Sequence, residues 1–165
     1  MTTNIGDPTR VRLADADDEG EVMSLCSFLH GENGMFSMSE HKVRAMVRAA
    51  TNGPVDARRG LIGVIGSPGH IEGSIYLQIG SLWYSDELTL IEQWNYVLPQ
   101  HRSTSASRDL IAFAKDISDR FGLPLLIGVV SNERTEAKCR LYRKQLGEPS
   151  GHFFMHNVTK IRGTK

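Results

Sequence analysis

The stretch VLPQHRSTSASRDL, Val97 to Leu110, decides how this chain is read. The apolar run before it is rich in β-formers, and Pro99 cannot donate a ladder hydrogen bond, so a strand ends there. After it, Leu110, Phe113, Ala114, Ile117 and Phe121 repeat at helical spacing until Gly122 and Pro124 close the helix. Small polar residues join the two. A helix N-terminus offers backbone N–H groups and the positive end of its dipole to an anion, and small side chains let a phosphate come close. Arg102 adds a positive charge. Ser103, Thr104 and Ser105 equally suit plain helix capping, so this stretch alone leaves both readings open.

Working outward, Leu88 to Leu98 is a long strand-like run, and period two puts Glu92 on one face with Leu90, Trp94 and Tyr96. Before it, Leu61 to Ile65 and Ile71 to Ile79 form a predicted hairpin about the turn Ser67-Pro68-Gly69-His70. Two helices precede the hairpin. Val22, Leu25, Cys26 and Leu29 mark the first. Ser37 and Glu40, at capping-box spacing, open the second over Val43, Met46, Val47 and Ala50. A short strand over Arg10 to Ala14 starts the series. Downstream, Leu125 to Val130 is a predicted buried strand, Ala137 to Leu146 a helix, and His152 to Val158 a final strand. The order is β-α-α-β-β-β-α-β-α-β, an α/β fold of the α+β kind.

At 165 residues, with 40% hydrophobic and 23% charged residues, the chain is expected to form one domain over 1–165. A chain of that size buries roughly 70% of its unfolded surface, enough for a core without staples. Nineteen basic and nineteen acidic residues cancel, which argues against a dedicated nucleic-acid binder. The longest apolar runs fall short of the ~20 residues that cross a bilayer, so no membrane partner is expected. MTTNIGDPTR lacks the apolar core of a signal peptide, and Cys26 and Cys139 form no CxxC pair, which together suggest a reducing cytoplasm. His152 and His156 have no neighbouring cluster of metal-ligating residues, so no metal is expected. Cys139, inside a helical pattern, reads as a small apolar residue.

Arg102, Ser105 and Ser107 stand at the three marked positions of a Q/R-x-x-G-x-G/A loop, with serine at both glycine positions, and LYRKQLG, Leu141 to Gly147, matches an LYxxxG pattern. On these motifs and the order of elements, the chain resembles the GCN5-related N-acetyltransferase superfamily. The motif match runs from about Leu88 to Gly147. The resemblance implies a mixed, mostly antiparallel central sheet of six to seven strands flanked by four helices. It implies acetyl-CoA as acyl donor, with the pantetheine arm between the strands ending at Leu98 and Val130. The arm would pair with the backbone of Val97 and Leu98, and the pyrophosphate would sit on the amides of Ser103, Thr104, Ser105, Ala106 and Ser107. Members often carry an Asn seven residues before the LYxxxG tyrosine. Thr135 holds that position here and Asn132 lies just before it, so either is a candidate for cofactor contact.

The resemblance also supplies roles. Acyl transfer needs a neutral amine, whereas a lysine-type amine has an ordinary pKa of about 10.4. Glu92, on the strand where members often place a carboxylate, is the candidate general base. A backbone N–H near Leu98 would meet the oxyanion, and Tyr142, the tyrosine of LYRKQLG, would protonate the leaving thiolate. Trp83, Tyr84, Asp86 and Glu87 suit either an acceptor pocket or a surface loop. The basic residues Arg134, Lys138, Arg140, Arg143 and Lys144 suit a solvated helix face better than a phosphate site. The expected acceptor is a primary amine on a small molecule, peptide or protein, and a homodimer joined through the last strand fits this layout. The alternative is a catalytically silent module of the same fold that binds CoA or a protein partner.

Overall fold

The computed structural model describes residues 10–131 and 134–156. Five strands form one sheet in the order β1-β2-β3-β4-β5: β1 Val11–Leu13, β2 Gly60–Ser67, β3 His70–Ser81, β4 Leu88–Val97 and β5 Leu125–Leu126. β1 to β4 pair antiparallel, and β5 joins β4 in parallel. The helices are α1 Glu19–Asn33, α2 Glu40–Thr51, α3 Ala106–Phe121 and α4 Thr135–Leu146. None among the described residues is long and apolar enough to cross a membrane.

The alternation of side chains along β2 to β4 produces two cores. Ile62, Val64, Tyr76, Trp94 and Tyr96 meet Val22, Leu25 and Cys26 of α1 and Val47 of α2 on one face. Leu61, Ile65, Ile75, Leu77, Leu90 and Val97 meet Leu110, Phe113 and Ile117 of α3 on the other. The predicted stripes of α1, α2 and α3 are thus the buried faces of those helices, except that Phe121, the last residue of the α3 stripe, is 46% exposed at the helix end. The β2–β3 hairpin turns where expected. Gly66, at φ 107°, is required there, because a Cβ at this position would lie 2.1 Å from the His70 carbonyl oxygen.

Three local expectations differ from the structure. The Ser37–Glu40 capping box is not formed: α2 begins at Glu40 behind Ser39, so Glu40 sits too early to reach back and instead bonds Arg44. The strand expected over Leu125 to Val130 stops after two residues, because the Gly128 N–H turns to the Glu92 carboxylate. The final strand expected over His152 to Val158 is absent through residue 156, with Phe153 84% and Phe154 94% exposed; 157 and 158 lie outside the described residues. A strand needs a neighbour to pair with, and β5 ends too soon to supply one. The described residues therefore hold five strands rather than six to seven.

One ion pair fastens the first turn to the sheet. Both oxygens of Asp18, a residue 3% exposed, accept from the Arg12 guanidinium at 2.7 Å, and Asp18 also accepts the Asp15 N–H at 3.0 Å. The Arg12 hydrogen bonds hold the Asp18 carboxyl below its ordinary range despite burial. A depressed carboxylate stabilises the fold above its unfolded-state pKa, and that stabilisation disappears as pH falls through the lower folded-state value. Asp18→Asn should cost about 1–3 kcal/mol at pH 7, less than a fully buried pair because Arg12 is partly exposed. The difference from wild type in urea denaturation should shrink as pH drops from about 4. An equal difference at pH 7 and pH 3 would remove this pair from the stability of the fold.

Candidate functional site

β4 and β5 share two residue pairs, Leu90 with Leu125 and Ile91 with Leu126, and then part. At the point of parting the Gly128 N–H donates to Glu92 Oε2 at 3.1 Å. The β3–β4 register slips here, since Tyr76 faces Trp94 while Leu77 faces Glu92. Gln93 is the extra residue of a bulge, and a bulge resets the side-chain alternation. Glu92 accordingly shares its face with Leu90, Asn95 and Val97, while Trp94 and Tyr96 point into the opposite core. Period two had grouped Glu92 with Trp94 and Tyr96; the bulge corrects it.

That correction assembles a polar cluster. Asn95 donates from Nδ2 to the Tyr142 hydroxyl of α4 at 3.1 Å. Burial pushes the Glu92 carboxyl up to about 7, against the opposing pull of the Gly128 N–H and of Lys138. Burial, and then the Glu92 charge, push the Tyr142 phenol well above its ordinary value, with the Asn95 hydrogen bond opposing. Burial lowers the Lys138 ammonium, and the charges of Glu92 and Glu32 oppose it. A carboxyl that titrates near neutrality, a protonated phenol and a partly desolvated amine thus lie near one another where β4 and β5 part. Asn95 and Lys138 went unread as site residues. Asn95 had a signal, since an amide between Trp94 and Tyr96 in a core strand needs a partner.

The next turn of backbone decides which amide faces the opening. The Leu98 N–H donates to the Glu72 carbonyl of β3 at 2.9 Å. In an antiparallel ladder the neighbouring residue turns its N–H and C=O the other way, so the Val97 backbone faces the β5 side. The Val97 carbonyl there accepts Arg102 Nε at 2.9 Å. Of the two residues expected to meet a pantetheine arm, Val97 has its N–H toward the gap and Leu98 spends its own inside the sheet.

Arg102 is held rather than extended. It donates to Glu32 Oε2 of α1 at 2.6 Å and lies 5.3 Å from the centre of the Tyr96 ring, while the Tyr96 hydroxyl donates to the same Glu32 oxygen at 2.9 Å. Burial is the largest influence on Glu32 and raises it, yet the hydrogen bonds from Arg102 and Tyr96 prevail and hold the carboxyl below its usual range. Glu32 carried no signal in the sequence, because its partners lie 64 and 70 residues away.

Ser103 and Thr104 are exposed, and Thr104 Oγ1 donates to the His101 carbonyl at 2.7 Å and accepts the Ala106 N–H at 3.2 Å. Ser105, ahead of α3, has φ −73° and ψ −5°, an ordinary conformation for any residue, so serine at this glycine position causes no backbone strain. Its Oγ donates to Asp109 Oδ2 at 2.7 Å. Ser107 is half-buried in the first turn of α3. Thr135 opens α4 and donates to the Ser131 carbonyl at 2.7 Å, whereas Asn132 lies outside the described residues. Trp83 and Tyr84 are exposed and stacked edge to face at 5.4 Å. Among the described residues no cluster of His, Cys, Asp and Glu could hold a metal ion.

No family model and no curated protein matches this sequence. Solved structures do match. An integron cassette protein from the mobile metagenome of Cole Harbour Salt Marsh is similar at TM-score 0.68 and 20% identity, over 89% of this chain and 88% of its own. A possible acetyltransferase from Clostridium difficile 630 is similar at TM-score 0.64 and 18% identity, over 90% and 97%. AAC(6')-Iy, solved with the bisubstrate analog CoA-S-monomethyl-acetylneamine, is similar at TM-score 0.65 and 14% identity, over 88% and 95%. The chain therefore has the fold of the GCN5-related N-acetyltransferases.

Proposed function

We propose that this chain transfers an acyl group, acetyl in the first instance, from acyl-CoA to a primary amine by direct attack. The observation that carries the reading is Glu92, a half-buried residue whose carboxyl is pushed up to about 7 at the parting of β4 and β5, on the same face as Asn95 and its partner Tyr142. The structures similar in fold include named acetyltransferases, one of them solved with a CoA bisubstrate analog, which supports the same reading.

In this reading Glu92, directly or through water, takes the proton from the attacking ammonium, and the amine nitrogen bonds to the thioester carbon. The Val97 N–H donates to the carbonyl oxygen as charge develops on it. The C–S bond then breaks, the sulfur takes a proton from the Tyr142 hydroxyl, which Asn95 orients, and the second proton of the acylated nitrogen returns to the phenolate while Glu92 releases the first to water. The pyrophosphate rests on the first-turn amides of α3 between Ser103 and Ser107. The acceptor is a primary amine on a small molecule or a polypeptide.

A second reading, a silent module that binds CoA weakly, is favoured by Asp109. Its carboxylate sits in the first turn of α3, bonded to Ser105, where an anionic ligand would meet like charge. The Arg102 guanidinium, already engaged by Glu32, leaves that charge uncompensated from its side. Calorimetry with acetyl-CoA and free CoA, followed by thiol release in the presence of an amine panel, separates the two readings.

Glu92→Gln should lower kcat/KM by about 10²–10⁴-fold and leave acetyl-CoA affinity nearly intact. The wild-type rate should rise through pH of about 7 as Glu92 loses its proton, and the variant should lack that limb. A surviving limb would give proton removal to another group. Tyr142→Phe should lower kcat about tenfold with little change in donor binding, because a thiol of pKa about 8.5 already leaves tolerably near neutrality. Wild-type turnover in that variant would assign Tyr142 to packing. At the loop, Ser105→Trp should abolish CoA binding and Asp109→Asn should tighten it several-fold; unchanged affinity in both would move the phosphate site elsewhere.

A further inference from the structure

A groove of about 460 Å³ lies between α2 and the β2–β3 pair, on the sheet face opposite Glu92 and Asn95. It is an open surface groove: apart from the buried Tyr76 and the half-buried Met46, the residues that line it are exposed. Lys42, Ala45, Met46 and Ala49 of α2 line one wall at i, i+3, i+4, i+7 spacing, and Arg59 and Tyr76 line the side of the strands.

Two features point to an anion with an apolar body. The first is charge without partners. Arg44 and Arg48 on the same helix pair with Glu19 and Glu40, and Arg58 donates to three carbonyls. Lys42 and Arg59, in contrast, make no side-chain hydrogen bond or ion pair with any described residue, and no carboxylate lines the groove. The second is Tyr76. Its ring is buried, while its hydroxyl makes no hydrogen bond to a described residue and keeps contact with solvent, so it opens on the groove. A Cβ at Gly60 would lie 2.5 Å from the Tyr76 ring and 2.9 Å from its hydroxyl oxygen, so glycine leaves that end of the ring room beside Arg59.

We propose that this groove binds a small aromatic carboxylate, the acid group meeting Arg59, Lys42 and the Tyr76 hydroxyl and the ring lying against Met46 and Ala49. A planar carboxylate suits a guanidinium fork and accepts from a phenol, and the apolar wall covers the ring. The site does not depend on acyl transfer in the cleft across the sheet.

The probes are 2-naphthoate and its uncharged isostere 2-naphthamide, titrated by calorimetry into the full chain. The acid should bind at least about tenfold more tightly than the amide. Arg59→Gln should weaken the acid about five- to tenfold, Lys42→Gln about two- to fivefold, and Tyr76→Phe about two- to tenfold. Trp94, whose ring centre is 4.8 Å from that of Tyr76, should change its emission on binding in a Trp83→Phe background. Glu92→Gln and Tyr142→Phe should bind the acid as wild type does. Equal affinity for acid and amide, no loss in both Arg59→Gln and Lys42→Gln with the fold intact by circular dichroism, or loss of binding in Glu92→Gln would overturn the proposal. The last outcome would assign the ligand to the cleft.

Discussion

β4 cannot stay paired with β5 and also carry Glu92 as it does. The Gly128 N–H that would continue the parallel ladder donates to the Glu92 carboxylate, and the strands part from there. One hydrogen bond thus trades sheet for opening. It places a carboxyl where water is scarce, which is why burial dominates its titration, and it leaves the Val97 N–H facing a gap. The bulge at Gln93 completes the arrangement by turning Asn95 to the same side as Glu92, within reach of Tyr142.

The second constraint is electrostatic and long in sequence. Glu32 gathers the Arg102 guanidinium and the Tyr96 hydroxyl onto one oxygen, so α1, β4 and the loop before α3 are fixed to one another. The loop conformation consequently owes little to glycine. Ser105 sits in an ordinary backbone region, and Thr104 closes the turn with its own hydroxyl. What the serines change is the chemistry around the first turn of α3, where Ser105 holds the Asp109 carboxylate. The two faces of the sheet have diverged in kind. The α3 face carries buried, mutually bonded polar groups, while the α2 face carries a groove with two cations and a phenol that have no partner among the described residues.

Much of this was legible without coordinates, because helices and hairpins are written in short-range pattern. The stripes Val22-Leu25-Cys26 and Leu110-Phe113-Ala114-Ile117, and the Ser67-Pro68-Gly69-His70 turn, each depend on residues within a few positions of one another. Tyr142 was singled out from a resemblance in motif and Glu92 from its place on the strand before the loop, and the structure brings the two near one another beside Asn95. The strand periodicity failed at one residue, Gln93, because a bulge shifts alternation and leaves no mark in composition. The last strand failed for a different reason: a β-prone segment becomes a strand only beside a free ladder, and β5 provides two residues of one.

The sequence by itself determined the helices, the hairpin, the strand-to-helix loop and the balance of charge, since these follow from local spacing and side-chain type. Only the tertiary structure decided which side of the sheet Glu92 faces, that Asn95 and Lys138 join it, that Arg102 serves Glu32, and that Lys42, Arg59 and Tyr76 share a groove. Those outcomes are contacts between residues tens of positions apart, selected by which faces pack and which hydrogen bonds burial enforces, and no local pattern encodes that selection.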